Sequence, residues 1–89
     1  MTAQFEIIKE IAVLSRKGKR SLRLNIMRWN DRPEIFDLRL WIDSAPEGLL
    51  PSSKGIMLDE GEASCLLYAL QSCFPEGIQA TNTKPTAET

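Results

Sequence analysis

The chain of 89 residues contains no histidine. Imidazole acid–base catalysis, histidine-activated nucleophiles and histidine metal ligands are therefore excluded, which removes most enzyme readings. Cysteine is scarce: Cys65 and Cys73 stand eight positions apart in a stretch of helical spacing. At about 1.5 Å per residue that is roughly 12 Å, too far for a mutual disulfide. Both read as reduced, buried thiols of a cytosolic protein. No apolar run approaches the ~20 residues of a membrane span, and no charged start is followed by an apolar stretch and a small-residue cleavage site. The expectation is a soluble, cytoplasmic protein with no membrane partner. It would be non-enzymatic and hold no cofactor or metal.

Acid and base nearly balance, at a net charge of −1. The balance hides an asymmetry: residues 1–33 carry a net +5 and residues 34–89 a net −6. The sharpest feature is Arg16, Lys17, Lys19, Arg20 and Arg23, five cations in eight positions without an acid. Local charge, not the total, governs polyanion binding, so an acidic protein with such a patch can still hold one. A merely solvated turn is the competing reading. The length suits one domain with a modest core. A chain of this size buries only ~60% of its unfolded surface, which makes oligomerisation a natural source of further burial.

Two stretches alternate between apolar and polar residues. In Arg20–Trp29 the even positions Leu22, Leu24 and Ile26 are apolar; in Glu34–Ile42 the even positions are Phe36, Leu38, Leu40 and Ile42. Successive strand side chains point to opposite faces, so both read as strands with one apolar face. Pairing them as a hairpin with both apolar sets together requires partners whose numbers sum to an even value. A sum near 64 sets Arg23 opposite Trp41 and Asn25 opposite Arg39. Trp29 and Trp41 then share the polar face with Arg23, Asn25, Met27 and Arg39, roughly 20 Å apart along the ladder at about 3.3 Å per residue.

The remaining chain fits around this hairpin. Met1–Gln4 is expected to fray. Phe5–Arg16 alternates imperfectly, a pattern open to a bulged strand, a doubly buried strand or a helix; strand is preferred because its neighbours are strands and Gly18 suits a hairpin turn. Asn30–Pro33 is a turn cluster. Asp43–Ser53, with two prolines and a glycine, reads as a long loop, and Lys54–Leu58 as a short fourth strand. Asp59 and Glu62 have the spacing of a capping box, and Ala63, Leu66, Leu67, Leu70 and Phe74 follow helical spacing up to Pro75. That capping role accounts for the neighbouring carboxylates Glu60 and Glu62 better than acid–base chemistry, and Lys54-Gly55 lacks the other glycines of a phosphate loop. Residues 76–89 read as a disordered tail.

The fold class is therefore α+β: a four-stranded curved antiparallel sheet followed by one C-terminal helix, forming a single domain over residues 5–75. The helix is expected to cover the apolar sheet face and leave the polar face to solvent. Its own apolar surface is wider than one stripe, which points to a homodimer with Leu66, Tyr68 and Leu70 at the interface. Two indoles among cations suit an extended, flat, anionic ligand. Single-stranded nucleic acid offers unstacked bases and phosphates together, whereas duplex DNA has its bases already stacked and would need a basic recognition helix.

Arg28-Trp-Asn, Phe36-Asp-Leu-Arg-Leu-Trp41 and Lys54-Gly-Ile-Met-Leu58 before a capped helix resemble the positive cofactor four family of transcriptional coactivators. Joined to Phe5-Glu-Ile-Ile-Lys-Glu-Ile-Ala-Val-Leu-Ser15, they are similar to its bacterial YdbC-like members over about Phe5 to Phe74. The resemblance implies a homodimer that binds single-stranded DNA across curved sheets with little sequence preference. It further implies stacking by Trp29 and Trp41, phosphate contacts from Arg39 and Lys54, and a basic hairpin loop of Lys17, Lys19 and Arg20. The candidate nucleic-acid-binding set is thus Lys17, Lys19, Arg20, Arg23, Asn25, Met27, Arg28, Trp29, Arg39, Trp41 and Lys54. A bacterial member would be nucleoid-associated. Alternatives are single-stranded RNA, and a protein partner, such as one of the transcription machinery, anchored by the two tryptophans. The long loop and the acidic C-terminal half depart from the family pattern.

Overall fold

The computed structural model describes residues 4–74; residues 1–3, Pro75 and the expected tail lie outside them. Four strands, β1 (Phe5–Lys17), β2 (Arg20–Trp29), β3 (Ile35–Ser44) and β4 (Gly48–Leu58), form an antiparallel sheet in chain order, and α1 (Glu60–Ser72) comes after them. Gln4, expected to fray, is tied on both sides: its N–H donates to Asn30 Oδ1 at 3.1 Å and its carbonyl accepts from Asn30 N–H at 2.7 Å.

The irregular pattern of β1 has a simple cause. Its register against β2 shifts three times, between Ile7 and Lys9, Glu10 and Ala12, and Val13 and Ser15. Ile7, Glu10, Val13 and Arg16 oppose Met27, Asn25, Arg23 and Ser21, so three residues of β1 span two of β2. Each bulge inverts the parity of the β1 residues beyond it and adds twist. Gly18, at φ +61°, turns the chain into β2.

Between β2 and β3 the parity is even, as the alternation demands, but the register lies two residues along β3 from the expected one. Arg23 faces Arg39, Asn25 faces Asp37 and Ser21 faces Trp41. The connecting turn sets this: Asn30 adopts φ +56° and Arg32 N–H closes on Trp29 carbonyl at 3.0 Å. The expected loop Asp43–Ser53 is instead mostly strand, with β3 running to Ser44 and β4 starting at Gly48. Its Pro51-Ser-Ser segment is a bulge, where register shifts between Arg39/Gly55 and Trp41/Pro51. There Ser52 Oγ donates to Leu40 carbonyl at 2.7 Å and accepts from Lys54 N–H at 3.1 Å, restoring hydrogen bonds that the bulge removes from the ladder.

The core sits on the face expected to be open. Every buried residue among those described, Ser21, Asn25, Met27, Asp37, Arg39 and Trp41, has odd parity. The sheet curls over that face. Phe5 pairs with Trp29 and Trp41 with Ser21, eight residues apart along β2, or roughly 26 Å on a flat ladder. Yet the Phe5 and Trp41 rings meet edge-on with centroids 5.7 Å apart. Coiling has brought diagonal corners together. The even, apolar face turns outward: Leu22, Leu24, Ile26, Leu38 and Leu40 are only half-buried, while Ile42 and Ile56 are exposed.

The helix does not cover that outer face. α1 meets only the β3 and β4 margins, and none of its residues is buried. Its start is as anticipated: Asp59 Oδ1 accepts from Glu62 N–H at 2.8 Å, and Asp59 N–H donates to Glu62 Oε1 at 2.9 Å. Cys65 and Cys73, expected to be buried, are exposed because α1 touches only β3 and β4 among the described elements. No helix of the described residues is long and apolar enough to cross a membrane.

Candidate nucleic-acid interface

Between the start of β1, the end of β2 and the Leu50–Ser53 stretch of β4, the curled sheet leaves a groove of about 990 Å³. Phe5, Trp29, Ile35, Leu50, Pro51 and Met57 supply its apolar lining. Arg32 and Arg39 are its cations, and Glu34, Asp59 and Glu60 its acids. That Phe5 and Pro51 line one groove is a further product of the curl, since they belong to the two edge strands.

Trp29 is half-buried at this groove and held by a compact network. Its indole Nε1–H donates to Asp37 Oδ2 at 3.1 Å. Arg39 Nε donates to Asp37 Oδ1 at 3.0 Å and Nη2 to Oδ2 at 2.9 Å, while Nη1 reaches Ser52 carbonyl at 2.9 Å. The guanidinium carbon lies 5.0 Å from the Trp29 ring centroid, within cation–π range. Phe5 completes the setting, its ring tilted 47° to Trp29 at 5.6 Å. Asp37 is fully buried and Arg39 is 8% exposed, a desolvated ion pair that Trp29 and Ser52 supplement with one hydrogen bond each.

The sequence-predicted residues separate into groups. Trp29 and Arg39 come together at the groove. Trp41 and Met27 do not stand on a solvated face: at 1% and 0% exposure they are the apolar core, because the curl encloses their side of the sheet. Nor are the tryptophans 20 Å apart, as both stand against Phe5. Asn25 is buried opposite Asp37. Arg23, half-buried, donates through Nε to Ser21 Oγ at 2.8 Å. Arg28 has the opposite parity from Trp29 and is neutralised by Glu6 at 2.9 Å and Glu34 at 3.1 Å. Lys17, Lys19 and Arg20 are exposed at the opposite end of β2, Arg20 nine residues along the strand from Trp29. Lys54 is exposed beside the β4 bulge.

Three contributors escaped the sequence reading. Phe5 stands in the groove as the register partner of Trp29, a pairing hidden by the bulges of β1, and the curl brings it to Trp41 as well. Asp37 shares parity with both tryptophans, a visible signal, but its burial depends on the same curl. Gly55 faces Arg39, and a Cβ there would lie 2.7 Å from Arg39 Cζ and 2.8 Å from its Cβ and Cγ. The sole hint was a glycine inside a strand. The chain matches no protein-family model and no curated protein.

Proposed function

We propose that the protein binds single-stranded DNA as a homodimer with little sequence preference, acting non-enzymatically in transcription, replication or repair. The observation that carries this reading is the groove of about 990 Å³ beside Trp29 and Phe5. A half-buried indole fixed at a groove offers a π-surface to an unpaired base, and such stacking contributes ~1–3 kcal/mol per base without regard to base identity. Phosphates are held elsewhere. Lys17, Lys19 and Arg20 form an exposed cationic turn, and Arg16 and Arg23 extend it along inner-face register positions opposite and beside Ser21. Between turn and groove a ligand must be extended and flexible, which favours a single strand over a duplex or a small molecule. The resemblance to the positive cofactor four family supports single-strand binding, stacking by Trp29 and a basic turn, while Trp41, enclosed in the core, does not take the stacking role that it implies.

Titration of fluorescently labelled oligo-dT at two salt concentrations, with duplex as competitor, tests the reading. Binding that weakens with salt and resists duplex competition is expected. Absence of binding at low salt rejects it. Preference for a matched RNA oligonucleotide transfers the site to RNA.

A further inference from the structure

We propose that Arg39 and Asp37 are positioning residues for Trp29 rather than ligands of phosphate, and that Gly55 is the position that permits them to act. The inference rests on the proposed groove function and assigns roles within it. All three guanidinium nitrogens of Arg39 are engaged inside the protein, two with Asp37 and one with Ser52 carbonyl. At 8% exposure little of the side chain reaches solvent. Its flat group instead lies near the indole, 5.0 Å from the centroid, while the carboxylate it grips fixes the indole N–H at 3.1 Å. One acid–base pair thus sets both the tilt and the in-plane rotation of a single aromatic ring. A planar guanidinium with a bidentate fork does this where an ammonium cannot.

Gly55 is required by the same geometry. A side chain there would meet Arg39 at Cβ and Cγ as well as Cζ. Cβ is fixed to the backbone and Cγ is one bond beyond it, so a rotation of the side-chain tip alone cannot relieve the clash. The guanidinium would be lifted from Asp37, and Trp29 would lose its support.

The test measures oligo-dT binding, the salt slope, the Trp29 indole N–H resonance and the thermal melt in the full-length chain. The variants are Gly55→Ala, Arg39→Lys and Arg39→Gln, each alone and combined with Trp29→Ala. Gly55→Ala and Arg39→Lys are expected to lose affinity to the level of Trp29→Ala, roughly 5- to 150-fold if one stacked base is lost. No further loss should appear in the combinations, because the residues act as one unit. The salt slope should stay at the wild-type value, and the Trp29 indole resonance should move. A phosphate role for Arg39 predicts otherwise: Arg39→Lys binds as wild type, Arg39→Gln lowers the slope by ~0.7, and its loss adds to that of Trp29→Ala. That pattern, or an unmoved indole resonance in folded Gly55→Ala and Arg39→Lys, overturns the assignment. If Gly55→Ala fails to fold, Arg39→Lys decides. If wild-type protein does not bind oligo-dT, the functional reading falls, and the indole resonance alone still decides the positioning role.

Discussion

The two tryptophans have the same parity and different fates. Trp41 pairs with Ser21 well inside the curl and is sealed by Phe5, whereas Trp29 lies at the last rung, where the groove opens. Truncating a buried aromatic costs ~3–5 kcal/mol, a large share of the stability of so small a domain. Trp41→Ala should therefore melt far earlier than wild type, with the remaining folded fraction binding oligo-dT normally. Trp29→Ala should do the reverse. Trp41 Nε1 is buried with no hydrogen-bond partner among the described residues, so Trp41→Phe, which removes that donor and keeps a ring, should be much milder than the alanine change. Equal melting temperatures for Trp41→Ala and wild type would place Trp41 outside the core. The shared parity was legible from alternation alone. Which face would be enclosed was not, since curling depends on how all four strands pair.

At the level of elements, legibility tracked how local the determining interactions are. The start of α1 could be read because the Asp59–Glu62 box is closed by residues three apart. β1 looked ambiguous because three bulges repeatedly shift its parity against β2. β4 was read too short because Pro51, Ser52 and Ser53 carry loop composition, yet the Ser52 hydroxyl supplies the bonds that a regular ladder would have made. The β1–β2 turn makes its own prediction. Lys17, Lys19 and Arg20 are exposed at the end of the sheet away from Trp29, so stacking and charge should be separable. Changing all three to Ala should flatten the salt dependence by up to about three phosphate contacts, ~0.7 each on a single strand, while oligo-dT still perturbs Trp29 fluorescence. A triple variant with an unaltered slope would exclude the turn from the binding site.

For the whole molecule, the difficulty is an inside that is partly polar and an outside that is partly apolar. The described residues bury Ser21, Asn25, Asp37 and Arg39, yet leave Leu66 at 41%, Leu70 at 47% and Tyr68 at 74% exposed on α1. The outer sheet face is open to a lesser degree, with Leu22, Leu24, Leu38 and Leu40 half-buried. Covering such surface gains about 25 cal/mol per Å² of apolar area, and a second copy offers the same surface in self-complementary form. We therefore expect a homodimer through the outer face and α1 together. Sedimentation at micromolar concentration should give the dimer mass, and the melting temperature should rise with protein concentration. Leu66→Glu on the helix and Leu38→Glu in the middle of the sheet should each abolish that dependence. The network around Trp29 lies on the other face, so any monomer that stays folded should keep the Trp29–Asp37 hydrogen bond in its indole resonance. If only Leu66→Glu yields monomer, the interface is the helix alone; a wild-type monomer at micromolar concentration removes the dimer altogether.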